Sequence, residues 1–345
     1  MEKQFRVGVI GCGGISRVHR KALSHMSNVQ IVAVADIVPG RAREAAEECQ
    51  AQAMTDWREM LKMEEIDAVH ICTPHYLHAP MAVEALRAGK HVLTEKPMAT
   101  SNEAAMEMIR AADVPGAPML GVVFQNRYNP SVQMALQMIR SGEMGAFKGA
   151  RASVCWHREG AYYTESGWRG RMATEGGGVL INQAIHTLDL MSYLAGPIDR
   201  VRGHVSTDLL DDINDVEDNA HAVVVYKNGC HGVLYATVNY VADAPIELEL
   251  AYEKGSLKLV GDKLYRIQGD EAALLCDGQP PMEAEKAYWG ASHQTLIEDF
   301  YRALAGHKHF WLDGRQGFAA FNLVMSIFES SKSGQWVKLM DPSEI

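Results

Sequence analysis

No run of about 18 apolar residues occurs in the 345-residue chain, so neither a membrane-spanning helix nor a membrane partner is expected. Basic residues are also short: 33 Lys and Arg face 43 Asp and Glu, a formal net charge of −10. Gripping nucleic acid through its phosphates takes the opposite balance, so nucleic acid is not expected as a partner. The six cysteines, at 12, 49, 72, 155, 230 and 276, form no CxxC pair and no cluster at metal-ligand spacing. That pattern argues against a disulfide framework and fits a reduced, cytoplasmic protein. The pairs His75/His78 and His307/His309 lack a third ligand at useful spacing, and no metal is assigned. The first residues run straight into a strand-like segment without an apolar leader, so secretion is not expected.

What is present is an ordinary globular composition, 47% apolar, with length enough for two domains. In the first third, short apolar and β-branched runs (6–10, 29–36, 66–73, 91–94 and 119–124) alternate with helix-like stretches at 15–26, 41–49, 79–88 and 102–112. That alternation predicts a doubly wound parallel sheet. From about residue 145 strand-like runs follow one another, at 148–156, 201–207, 220–226, 232–241, 246–252 and 256–260. They predict a largely antiparallel, open sheet with one inserted helix at 179–194 and two C-terminal helices near 293–304 and 316–330. The expected division is 1–125, dinucleotide-binding, and 126–345, an α+β domain for substrate binding and oligomerisation whose last helices pack back on the first. The run 232–241 carries apolar or aromatic groups on both faces, which predicts a homodimer or homotetramer built through this sheet.

After the first strand come Gly11, Cys12, Gly13, Gly14, Ile15 and Ser16, and then a helix. Gly11 allows a tight turn, Gly13 lets the backbone approach a pyrophosphate, and the helix N-terminus offers free N–H groups to it. Asp36 ends the second strand twenty residues beyond Ser16, where a carboxylate accepts hydrogen bonds from a ribose 2′-OH and repels a 2′-phosphate. NAD is therefore expected over NADP, although Arg41 and Arg43 lie close enough in sequence to meet a phosphate. Lys96 follows the fourth strand of this pattern, at the sheet end where open α/β sheets bind ligands; by residue type it is a solvated loop lysine or a ligand contact. Residues 176–178 are three glycines that let a backbone press against a ligand. The helix after them carries Asn182, His186, Asp189 and Tyr193 on one stripe. His186 reads equally as a core histidine or a catalytic base, and Asp189 reads as structural. The aromatic and basic groups Trp156, Arg158, Tyr162, Tyr163, Trp168 and Arg169 suit either a polyhydroxylated ring or a sheet edge with structural aromatics.

These stretches, together with Thr73–His78, AGKHVLTEKP at 88–97, QNRYNP at 125–130, Trp168-Arg169-Gly170 and GGGVLINQAIHTLDL at 176–190, resemble the glucose–fructose oxidoreductase/inositol dehydrogenase (Gfo/Idh/MocA) family. The resemblance implies an N-terminal Rossmann domain and an NAD(P)-dependent oxidoreductase. Its substrate would carry a secondary hydroxyl on a sugar, polyol or sugar derivative. It implies Lys96 and His186 as the catalytic pair, with Thr73, Pro74, His75, His78 and Glu95 bordering the cofactor. On the substrate side it places Asn126, Arg127, Arg158, Tyr163, Trp168, Asn182 and His186. Two positions depart from the family pattern: 182 is Asn where many members carry Asp, and 75 is His where Asn is common. Asn182 is expected to support a proton relay without ionising, which leaves His186 to set the acidic limb of a pH–rate profile. Two other readings stay open: an NAD-retaining enzyme that cleaves or eliminates through transient oxidation at C3, and a non-catalytic ligand sensor.

Overall fold

The computed structural model describes residues 3–278, 292–342 and 345. Six parallel strands form the first sheet: β1 (Phe5–Ile10), β2 (Val29–Ala35), β3 (Gln52–Met54), β4 (Ala68–Ile71), β5 (His91–Thr94) and β6 (Leu120–Val122). Their order is β3-β2-β1-β4-β5-β6, so the strand order reverses between β1 and β4. Except at the edge strand β3, these strands are almost wholly buried, as continuous apolar runs covered on both faces must be. The helix after β4 spans His75–Arg87, four residues earlier than the pattern predicts, and accommodates Pro80 inside it. β3 and the short helix Trp57–Leu61 are absent from the sequence reading because three and five residues carry too little periodicity.

The second sheet has nine strands: β7 (Phe147–Cys155), β8 (Ile198–Ser206), β9 (Asn219–Tyr226), β10 (His231–Thr237), β11 (Glu247–Tyr252), β12 (Gly255–Val260), β13 (Lys263–Gln268), β14 (Glu271–Cys276) and β15 (Val337–Lys338). Pairing is antiparallel except that β7 and β10 run parallel. Helices Ile185–Ala195 and Gly314–Ser333 cover one face. On the other, Val223, Val233 and Tyr235 stand exposed while their neighbours Leu234 and Ala236 are buried, so the alternation along β10 separates a core face from an open one. The helix His293–Ala305 packs on Gly14–Ser24, and Gly314–Ser333 reaches β6 and the helix Asn102–Ala112, which ties the C-terminal segment to the first sheet. The helix Pro130–Arg140, unseen in the sequence, starts on a proline and buries Val132, Ala135 and Leu136. Among the described residues no helix is long and apolar enough to cross a membrane, and no group of three His, Cys, Asp or Glu is placed to hold a metal ion.

Candidate active site

Gly11 takes φ +90°, and a Cβ there would stand 2.5 Å from the Cys72 carbonyl oxygen, so only glycine lets β1 turn this tightly against β4. A Cβ on Gly13 or Gly14 would meet no atom within 4 Å, so the outer side of the loop is open. The helix Gly14–Ser24 begins there with no side chain capping it and no acid in its first turn, which leaves its N–H groups and dipole to an anion. Ser16 is fully buried; its hydroxyl donates to the Gly13 carbonyl and accepts from Arg20. The Asp36 carboxylate accepts from the N–H groups of Cys12 and Val38, both at 2.8 Å, and is thereby fixed beside the loop with lone pairs to spare. Arg41 is exposed on the helix that follows. An uncapped helix end, an open glycine loop and an anchored carboxylate fit a dinucleotide.

At the carboxyl ends of β1, β4, β5 and β6 a cleft of about 860 Å³, its open mouth included, is lined by Ile15, Thr73, His75, His78, Glu95, Lys96, Asn182 and His186 among others. Lys96 Nζ donates to the main-chain oxygen of Asn182 at 3.0 Å, a bond that joins the loop after β5 to the helix of the second half. Burial lowers the Lys96 pKa. His186, 9% exposed, has no hydrogen-bond partner at Nδ1 among the described residues. Burial first, then the Lys96 charge, hold its pKa well below the usual 6.5, so the imidazole is neutral at physiological pH. The His78 ring spans the carbonyls of Thr73 and Pro97, fixing the Lys96-Pro97 turn, whose peptide is cis. His75 bonds the Glu175 carbonyl and lies edge-on to Trp168, while Pro74 caps the helix that begins at His75.

Behind the cleft, Glu95 bonds His19 Nε2 at 2.9 Å, His19 Nδ1 meets His70 Nδ1 at 2.8 Å, and His70 Nε2 meets the Tyr301 hydroxyl at 2.9 Å. Burial would raise Glu95, but the bond and charge of His19, with His293 and Lys96 nearby, pull it down to about 2. Burial opposes protonation of His19, yet Cys72 and Glu95 raise it to about 10. Glu95 is thus a buried carboxylate held by an imidazolium.

Residues 5–122 match the family model described as "Oxidoreductase family, NAD-binding Rossmann fold", and residues 132–258 match that of the GFO/IDH/MocA C-terminal domain. The chain belongs to the Gfo/Idh/MocA family. Levoglucosan dehydrogenase of Pseudarthrobacter phenanthrenivorans is 25% identical over 97% of this chain and 98% of its own length. D-glucoside 3-dehydrogenase of Escherichia coli is 26% identical over 97% of each. The crystal structure of the WlbA dehydrogenase from Bordetella pertussis, in complex with NADH and UDP-GlcNAcA, superposes with a TM-score of 0.87 at 30% identity, covering 98% of this chain and 99% of that one. The protein is accordingly an NAD(P)-dependent oxidoreductase of the sugar and polyol dehydrogenase kind.

Within this family frame, the structure does not bring all the expected substrate residues to the cleft. Arg127 is 2% exposed and buried in a bidentate pair with Asp189, at 2.8 and 2.6 Å, with its guanidinium over the Tyr193 ring. Asn126 lines a separate cavity on the far side of Trp156. Tyr163 is buried, and its neighbour Tyr162 lines the cleft instead, because the short helix Gly160–Thr164 can present only one of the two. Trp168 and Arg158 do line it, joined by Arg169, whose guanidinium lies over Tyr162 and Trp168 at 4.4 and 4.8 Å. The triple glycine meets protein, not an open ligand space. A Cβ on Gly176 would strike Thr100, one on Gly177 Phe328, and one on Gly178 the Glu217 backbone at 1.9 Å. Glu217, unmarked in the sequence, caps the following helix by accepting from Gly178 and Leu180 N–H. That helix opens with a π turn over Leu180–Ala184, so the polar stripe splits: Asn182 and His186 face the cleft, Asp189 and Tyr193 the core.

Proposed function

We propose that the protein oxidises a secondary hydroxyl of a hydroxyl-rich ring, with His186 as general base and Lys96 steadying the developing alkoxide. The observation that supports it best is the pairing in one cleft of a neutral histidine, unpartnered at Nδ1 among the described residues, with a lysine tethered at the strand end. NAD, when bound, takes up the hydride as the alcohol becomes a ketone. His186 accepts the hydroxyl proton because it is uncharged there. The Lys96 ammonium donates to the same oxygen as charge builds on it. Thr73, His75, His78 and Glu95 border the cofactor. Asp36 favours NAD over NADP, since its fixed carboxylate would face a 2′-phosphate. Tyr162, Trp168, Arg158 and Arg169 offer ring faces and guanidinium donors to the C–H faces and hydroxyls of a sugar.

Two copies pair through the open face of the second sheet, where Val223, Val233 and Tyr235 are exposed. The six unpaired thiols suit a reducing compartment such as the cytoplasm. A panel of inositols, hexoses, anhydro-sugars and nucleotide sugars, followed by NADH absorbance, tests the reaction. Net NADH with one class supports it. Turnover with retained cofactor and no net NADH would move the assignment to transient oxidation, and binding without turnover to a sensor. Light scattering that reports only monomer at micromolar concentration would remove the pairing.

A further inference from the structure

Glu175 is the last residue of the short helix Met172–Glu175, and the left-handed turn at Gly176 (φ 82°) follows it. Its side chain is fully buried and makes no ion pair within 4 Å among the described residues. One carboxyl oxygen, Oε2, accepts from the Gly170 N–H at 2.6 Å; the other, Oε1, accepts from the Asn182 Nδ2 at 2.5 Å. Asn182 Nδ2 also reaches the Tyr162 hydroxyl, so the amide nitrogen is committed and the carbonyl oxygen is left as the acceptor Asn182 offers the cleft. The main-chain oxygen of that same residue holds Lys96. A carboxyl group buried without an ion pair is costly, and such groups cluster at functional sites.

We propose that Glu175 is a positioning residue of the dehydrogenase site, supplying through Asn182 the carboxylate that position 182 lacks. This rests on the dehydrogenase reading. Ionised, Glu175 fixes the orientation of the Asn182 amide and sets a negative charge behind Lys96. Protonated, it loses that charge and an acceptor. The groups that act on it are Lys96 and Arg169, which favour ionisation, and Glu217 and Tyr163, which share its buried surroundings; His75 holds only its main-chain oxygen. Burial outweighs the bonds from Gly170 and Asn182 and raises the Glu175 pKa to about 7. His186 is already neutral well below that pH, so the acidic limb of the rate profile belongs to Glu175 and not to His186, contrary to the expectation from sequence.

Glu175→Gln keeps the volume and removes the charge. It should lower kcat by about 10- to 100-fold and abolish the limb near pH 7, with NAD affinity unchanged. Adding Asn182→Asp to that variant returns a carboxylate to the touching position and should recover roughly tenfold of kcat. A parent-like kcat and pH profile in Glu175→Gln, or no recovery in the double variant, overturns the proposal. If Glu175→Gln does not fold, Asn182→Ala breaks the same link. It should lower kcat by about tenfold and flatten the limb to what the charge behind Lys96 contributes, and a parent-like kcat and profile counts against the proposal. One arm needs no substrate: infrared difference spectra of the cofactor-free protein, recorded either side of pH 7. They should contain two protonated-carboxyl stretches titrating near pH 7, of which Glu175→Gln removes one and leaves that of Glu217, moved to lower pH because the Glu175 charge that helps to raise it is gone. Absence of the Glu175 band from the parent overturns the titration of Glu175 even if no sugar in the panel is oxidised. That band present with an inactive panel faults the dehydrogenase reading instead.

Discussion

Replacing Arg127 by Met tests whether this residue holds the fold or the substrate. The guanidinium makes two charge-assisted bonds to Asp189, a third to Gln316 Oε1 at 2.8 Å, and lies against the rings of Tyr193 and Trp311. Methionine fills much of the space and leaves Asp189, 1% exposed, without a counter-charge. Breaking one side of such a buried pair costs about 3–5 kcal/mol. At about 2 °C per kcal/mol for a chain of this size, the thermal midpoint should fall by roughly 6–10 °C. Burial already raises Asp189 above its ordinary 3.8, with Arg127 drawing it back, so losing Arg127 raises it further. A carboxyl whose folded pKa lies above its unfolded one loses stability as pH rises past the unfolded value. The deficit should therefore be smallest in acid and grow toward neutrality. Arg127→Met combined with Asp189→Leu should recover most of it, and the substrate KM should stay within about twofold throughout. A variant with the parent midpoint and a KM raised tenfold or more would refute this reasoning and return Arg127 to the substrate.

His186→Ala should depress kcat by about 10²–10⁴ with NAD affinity unchanged by calorimetry, whereas Lys96→Ala should weaken both turnover and cofactor binding; near-normal turnover in His186→Ala removes the base assignment. Asp36→Ala should relax a preference for NAD over NADP, and tighter NADP binding by the unmodified protein would contradict the role given to its carboxylate. The Glu95–His19 pair predicts a pH window. The stability Glu95 contributes is present above its ordinary 4.5 and is lost as pH falls toward about 2. That of His19 is present below 6.5 and is lost as pH rises through about 10. The midpoint difference between the parent and His19→Gln should be largest between those ordinary values and shrink on both sides, and a flat difference across pH would dissociate the pair from stability.

What the sequence determined by itself is what depends on neighbours along the chain. The strand–loop–helix of residues 5–24, with Gly11 at its turn, is dictated by apolar runs and glycine spacing. Asp36 and Lys96 follow their strands closely, and parallel pairing puts every such strand end on one edge, so their placement at that edge of the sheet needed no side-chain contact to be foreseen. Tertiary structure decided what depends on partners far apart in the chain. Arg127 and Asp189 are 62 residues apart, Glu95 and His19 are 76, and no periodicity marks either pair. The choice of Tyr162 over Tyr163 for the cleft was made by the orientation of one short helix, and the triple glycine by Thr100, Phe328 and Glu217 packed against it. Glu175 became visible only when the fold buried it against an asparagine. A buried polar group must find its partner wherever the packed chain supplies one, and that choice belongs to three-dimensional proximity, which a linear pattern does not encode.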